Sequence, residues 1–131
     1  MMSKNEHVLY WKETAAADWK AVNALIKSGN YIHALFFSHL VLEKLIKAHW
    51  VKDNESNHPP KTHNLAYLRS NTKLVLTDED KAFLEQMQKF QIEGRYPDYV
   101  SDIYKTYKAK QTKGIINHVT RIRKCILKSL S

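Results

Sequence analysis

The sequence is short of the residues that interrupt helices. Three glycines and three prolines in 131 residues are too few for the tight turns of a many-stranded β fold. No segment alternates convincingly between apolar and polar residues, so the usual mark of a half-buried strand is missing as well. The one cysteine, Cys125, cannot form an internal disulfide, which suits a reducing cytoplasm. No apolar run approaches the ~18–20 residues of a membrane span. The opening "MMSKNEHVLYWKE" turns charged before the apolar core of a leader could form. These absences leave a cytoplasmic, non-membrane protein made of one helical domain over residues 1–131.

Several kinds of chemistry are missing too. Gly29, Gly94 and Gly114 stand apart, so there is no glycine-rich phosphate loop. Structural zinc calls for closely spaced Cys and His, whereas the seven histidines are scattered. The Glu-x-x-His spacing of di-metal bundles occurs at Glu55–His58, inside a Pro-rich loop and without a twin. Neither a metal nor a cofactor is expected. Cys125 and His118 lie about two helical turns apart, too far for a thiolate–imidazole pair. Acidic residues vanish from the end of the chain. Lys105, Lys108, Lys110, Lys113, Arg121, Arg123, Lys124 and Lys128 follow Asp102 with no carboxylate among them, and the net charge is +8. Such a run is first a solvated helix face; an RNA, nucleotide or acidic-protein surface is the functional alternative.

What is present is helical periodicity. Val8, Trp11, Ala15, Trp19, Val22 and Ile26 form one stripe from about Glu6 to Lys27. "SGN" (Ser28 to Asn30) then supplies a glycine stop and an Asn N-cap. "YIHALFFSHLVLEKLIKAHWVK" is apolar nearly all round, as for a helix in the middle of a bundle or at an oligomer interface. "DNESNHPPK" (Asp53 to Lys61) reads as a loop, and "THNLAYLRS" as a short helix capped by Thr62. "TDED" opens a further helix, which Gly94 is placed to end and Pro97 to keep from resuming. A tyrosine-rich connector (Tyr99, Tyr104, Tyr107) leads to a last helix with Ile115, Val119, Ile122, Ile126 and Leu130 inward. The expected fold is all-α, an antiparallel bundle of four long helices and a short one. Trp19, Val22, Phe36, Leu40, Leu42, Ile46, Phe83, Met87, Val119 and Ile122 are the expected core. The surplus apolar surface of the central helix points to a homodimer.

His39 and Glu43 lie on that helix's apolar stripe at i, i+4 and must be paired if buried. Arg95 is the expected cation, because a guanidinium suits a carboxylate in bidentate fashion. His39, Glu43 and Arg95 would then form a structural polar cluster.

Three segments together carry a family resemblance. "ALFFSHLVLEKLIKAHW", "HPPKTHNLAYL" and "FQIEGRYPDY" resemble, in that order, the HEPN domain. Ala34, Glu43, Lys44, Lys47 and Ala48 match its central helix. Pro60, Thr62, His63, Leu65 and Leu68 match the following segment, and Arg95, Tyr96 and Pro97 a later turn. The resemblance implies an antiparallel bundle, often a homodimer. It also implies a role such as partner of a minimal nucleotidyltransferase in toxin–antitoxin pairs, nucleotide-binding domain or metal-independent ribonuclease. Lys47, His63, Arg95 and Tyr96 become the expected nucleotide- or RNA-facing residues.

The ribonuclease branch is recognised by Arg, four to six residues, then His, and no arginine here is followed by a His at that spacing. After Arg95 the positions hold Val100, Ser101 and Asp102. No catalytic residue is therefore assigned, and a non-catalytic binding module is expected. The alternatives are a ribonuclease using Arg95 with His63 or His118, or a purely structural interaction protein.

Overall fold

The computed structural model describes all of residues 1–131. It contains six α-helices and no strand: α1 (Lys4–Lys27), α2 (Tyr31–Asp53), α3 (Leu65–Ser70), α4 (Asp78–Met87), α5 (Pro97–Thr106) and α6 (Ala109–Leu130). α2 is the axis, with α1 along one side, α6 along another and α3 across a third. None of these helices is long and apolar enough to cross a membrane.

Local chemistry accounts for most boundaries. Ser3 starts α1 through a capping box, its hydroxyl accepting from Glu6 N–H while the Glu6 carboxylate accepts from Ser3 N–H. Gly29, at φ +78°, reverses the chain between α1 and α2, a conformation that costs glycine little. Asn30 precedes α2 as expected, but its amide bonds the Ser28 hydroxyl rather than capping the helix. Thr77 caps α4 as the sequence suggests.

Three readings of the sequence need correction. α3 is capped by Asn64, whose side chain accepts from Tyr67 N–H. Thr62 acts one step earlier, accepting from Asn64 N–H and fixing the approach to the helix. α4 does not run to Gly94; it ends at Met87 and tightens into a 3₁₀ turn, Gln88–Phe90, that carries Phe90 into the core. The tyrosine-rich connector is largely helical. Pro97 occupies the first turn of α5, where the lost N–H and fixed φ favour initiation.

The core holds Val22, Leu42, Ile46, Met87, Val119 and Ile122 as expected. Trp19, Phe36, Leu40 and Phe83 are only half-buried. Polar groups cover two of them: the Arg123 guanidinium sits 5.0 Å from the Trp19 ring centre, and His118 stacks on Phe83 at 3.8 Å. Phe36 and Leu40 are half-buried on α2, as is Phe37, whose ring meets that of Phe36 edge-on. Much of the apolar surface that suggested an oligomer is thus covered within the chain by α1, α3 and α6.

Two polar attachments hold the far end of α2. The Lys4 ammonium donates to Val51 O (2.7 Å), Asn54 O (2.7 Å) and Asn57 Oδ1 (2.9 Å), with Glu55 O and Ser56 O at 3.3 and 3.5 Å. It neutralises the electronegative end of α2 and fixes the loop behind it. On the other side His49 bridges Asp53 (2.5 Å) and the Ser129 hydroxyl (2.7 Å), while Lys52 donates to Ser129 O. This Asp–His–Ser chain joins helix ends. None of its members lines a hollow, and the hydroxyl lies at the C-terminal end of α6, where an oxyanion would be disfavoured.

Candidate functional site

The polar residues of α2 meet the segment before α3. Glu43 is 4% exposed and sits on an otherwise apolar helix, so its charge must be met inside the fold. Oε2 accepts from Lys47 Nζ at 3.0 Å, one turn further along α2; Glu before Lys at i, i+4 is the favourable order. Oε1 accepts from His63 Nδ1–H at 2.8 Å. The carbonyl of His63 in turn accepts from His39 Nε2–H at 3.1 Å, and Gln88 Oε1 takes the first N–H of α3, from Leu65. The "THNL" segment is thereby clamped to α2 by one side-chain and one backbone contact at the same residue.

His39 is fully buried. Because Nε2 carries the proton donated to a carbonyl, Nδ1 is bare; it has no partner and lies 3.9 Å from Glu43 Oε1. Burial lowers the His39 pKa from its ordinary 6.5, and the Glu43 carboxylate opposes this only in part. The unfolded chain therefore binds the extra proton more readily below pH 6.5. This contribution to stability is complete above that value and shrinks as pH falls through it. The melting temperature is expected to fall between pH 7.5 and 5.5, with a shallower fall in His39→Gln, which keeps a donor for the His63 carbonyl. Equal slopes in a pair of thermal titrations would remove His39 as the cause.

The structure replaces Arg95 in the expected cluster. Lys47 and His63 supply the two contacts to Glu43, and the Arg95 guanidinium makes neither an ion pair nor a hydrogen bond. It lies on the exposed turn after Gly94 (φ +78°), its guanidinium 4.5 Å from the Tyr99 ring centre. A lysine one turn along the same helix meets the carboxylate with no loop closure, so a distant arginine is not needed. Arg95→Ala is accordingly expected to cost about 0.5–1 kcal/mol, the range for an exposed cation–π contact; a urea midpoint consistent with more than about 2 kcal/mol would restore the latch. Tyr96 is 85% exposed and belongs to the same turn. Of the four expected ligand-facing residues, Lys47 and His63 share Glu43, whereas Arg95 and Tyr96 have no contact with it.

A hollow of about 350 Å³ opens beside Lys47. His7, Tyr10 and Trp11 from the first half of α1 form one wall, and His58, Pro59, Pro60 and Lys61 the other. The Lys47 ammonium lies 5.3 Å from the Trp11 ring centre. Sequence reading missed α1's share of this site, because Trp11 and Tyr10 look like ordinary members of a helical stripe and its edge. The Lys4 attachment holds the opposite wall in place. Chemically the hollow offers aromatic surface beside cations and imidazoles. His63, joined to Lys47 through the shared Glu43, is not part of its lining; its side chain is 56% exposed, with Nε2 free of any protein partner. His118, the other histidine considered for catalysis, is bonded to Asp80 at 2.8 Å elsewhere on the molecule. No group of three or more His, Cys, Asp or Glu residues could hold a metal ion.

A model of the HEPN domain matches residues 8–130. The chain belongs to the HEPN domain family. The crystal structure of TT1696 from Thermus thermophilus superposes on this HEPN chain with a TM-score of 0.74, covering 92% of this chain and 96% of that one at 15% sequence identity. At that identity the likeness is one of fold. No curated protein matches the sequence. The three segments that suggested a HEPN domain correspond in the structure to α2, to the approach to α3 with α3 itself, and to the turn before α5.

Proposed function

We propose that this HEPN chain is a non-catalytic binding module that acts as a homodimer with a minimal nucleotidyltransferase partner and takes a nucleotide, free or at an RNA end, beside Lys47. The observation that carries the ligand reading is the hollow itself, with Trp11 and Tyr10 next to Lys47, Lys61, His7 and His58. An aromatic face suits a base, and ammonium or imidazolium groups suit phosphates. The ribonuclease spacing of Arg and His is absent from the sequence, which favours binding over cleavage. The dimer reading rests on Phe36, Phe37 and Leu40, three large apolar residues that the chain leaves half-buried on α2.

Nucleotide binding is tested by titrating ATP, GTP and their monophosphates while following calorimetric heat and the tryptophan emission of the wild type and of a Trp19→Phe/Trp50→Phe variant that retains Trp11. Saturable binding that disappears in Trp11→Ala and Lys61→Ala supports the reading, and no heat at millimolar nucleotide would sink it. Light scattering should give twice the chain mass at tens of micromolar. A co-expressed nucleotidyltransferase should co-purify in fixed ratio.

One observation favours a second reading, cleavage. A carboxylate–imidazole pair, Glu43–His63, presents His63 Nε2 to solvent, an arrangement that can accept a proton from a hydroxyl. Metal-independent RNA cleavage by the wild type, lost in His63→Gln, would establish it in place of the binding module.

A further inference from the structure

α6 has one face that the bundle does not use. Lys110, Lys113, Asn117, Arg121, Lys124 and Lys128 follow one another in steps of three or four residues, and all are exposed. They form a stripe about 27 Å long, taking 1.5 Å of rise per residue. None of the five cations takes part in an ion pair within the chain. Asp80, the carboxylate that meets α6, is bonded to His118. Surface helices ordinarily intersperse both signs, since like charges one turn apart repel. Here no carboxylate follows Asp102 in the whole chain, and the repulsion is left standing.

The geometry points to this stripe as a docking surface for the phosphate backbone of a nucleic-acid duplex, bound without regard to sequence. The composition of the stripe separates the candidate partners. A protein interface has an apolar, aromatic-rich centre from which lysine is depleted, and the stripe has no aromatic and no large apolar residue. Single strands are held by base stacking on successive aromatic side chains as well as by charge; the six residues of the stripe offer none, and the hollow that Lys113 and Asn117 line has one aromatic, Tyr31. A straight row of cations at one-turn spacing is what backbone contact needs, since phosphates position a protein and bases specify it. This surface is separate from the Lys47 hollow. α6 shares no residue with that hollow and packs on the side of α2 that carries His49, so either can fail alone.

The test is fluorescence anisotropy with a labelled 20-base-pair RNA duplex, the DNA duplex of the same sequence, one strand alone, and polyglutamate. Both duplexes should bind at 50 mM NaCl. If all five cations meet phosphates, affinity should drop about 500-fold by 200 mM. The triple variant Lys110→Glu/Arg121→Glu/Lys128→Glu should lose binding tenfold or more and flatten the salt dependence. Lys20→Glu/Lys73→Glu/Lys81→Glu, the same charge change off the stripe, should lose much less. All six sites are exposed, and circular dichroism melts verify that both variants fold. Absent duplex binding at 50 mM, equal losses in the two triple variants, or tighter binding of the single strand or of polyglutamate would each overturn the proposal.

Discussion

Lys47→Met is expected to destabilise the domain by roughly 3–5 kcal/mol, the range for removing one partner of a buried ion pair. Glu43 is 4% exposed and Lys47 8%, so water cannot replace the lost ammonium without opening the packing of α2. Oε1 keeps its bond from His63, but Oε2 has Lys47 as its one partner. In a domain of this size the loss corresponds to a fall in Tm of roughly 11–18 °C. The pair itself need not be a net stabiliser, since charges cost much to bury. Glu43→Leu/Lys47→Met should therefore recover a large part of what either single change loses. Urea unfolding of the four proteins decides this: additive losses in the double variant, or a single-variant loss below about 1 kcal/mol, would show that the pair is solvated after all.

Lys4→Met should lower stability by roughly 2–3 kcal/mol, the scale of a lost charged hydrogen-bond set at a partly buried site. The ammonium is replaced by a thioether that cannot donate, and the carbonyls of Val51 and Asn54 are left facing it. The second effect is local. Residues 54–61 hold one wall of the hollow beside Lys47, and Lys4 makes four of its contacts to residues 54–57. Amide exchange in this segment should accelerate well beyond what the global loss explains, and nucleotide affinity should weaken although Lys4 does not line the hollow. Unchanged exchange at residues 54–61 would mean the loop holds itself.

Helical stripes made α1, α4 and α6 legible, because each buries one face and the apolar spacing records that directly; α2 was legible as a central helix because it is apolar nearly all round. α5 was obscured by its own composition. Pro97 reads as a breaker unless its place in the first turn is known, and the helix is only ten residues long with none of them buried. The site was half legible. Glu43 had to be paired because it sits among apolar residues, and that follows from the sequence. One partner was there to be read: Lys47 lies at i, i+4 from Glu43 on the same helix, the favourable order, and needs no loop closure, unlike Arg95. The other, His63, did not follow, since its place depends on the path of the chain between α2 and α3. Trp11 and Lys4 gave no signal at all, since their roles depend on α1 and the loop after α2 coming side by side.

Lys4 and Ser129 grip the same last turns of α2 from two sides. The two ends of the described chain therefore emerge at one pole of the bundle, about 34 Å along α2 from the Gly29 reversal. The connectivity can be redrawn without disturbing the packing: a permuted chain, opened at Gly29 and rejoined by a short Gly-Ser linker between Ser131 and Met1, should melt within a few degrees of the parent. Anything joined to either end would likewise stand at that pole, leaving the opposite pole and the long side of α6 unobstructed.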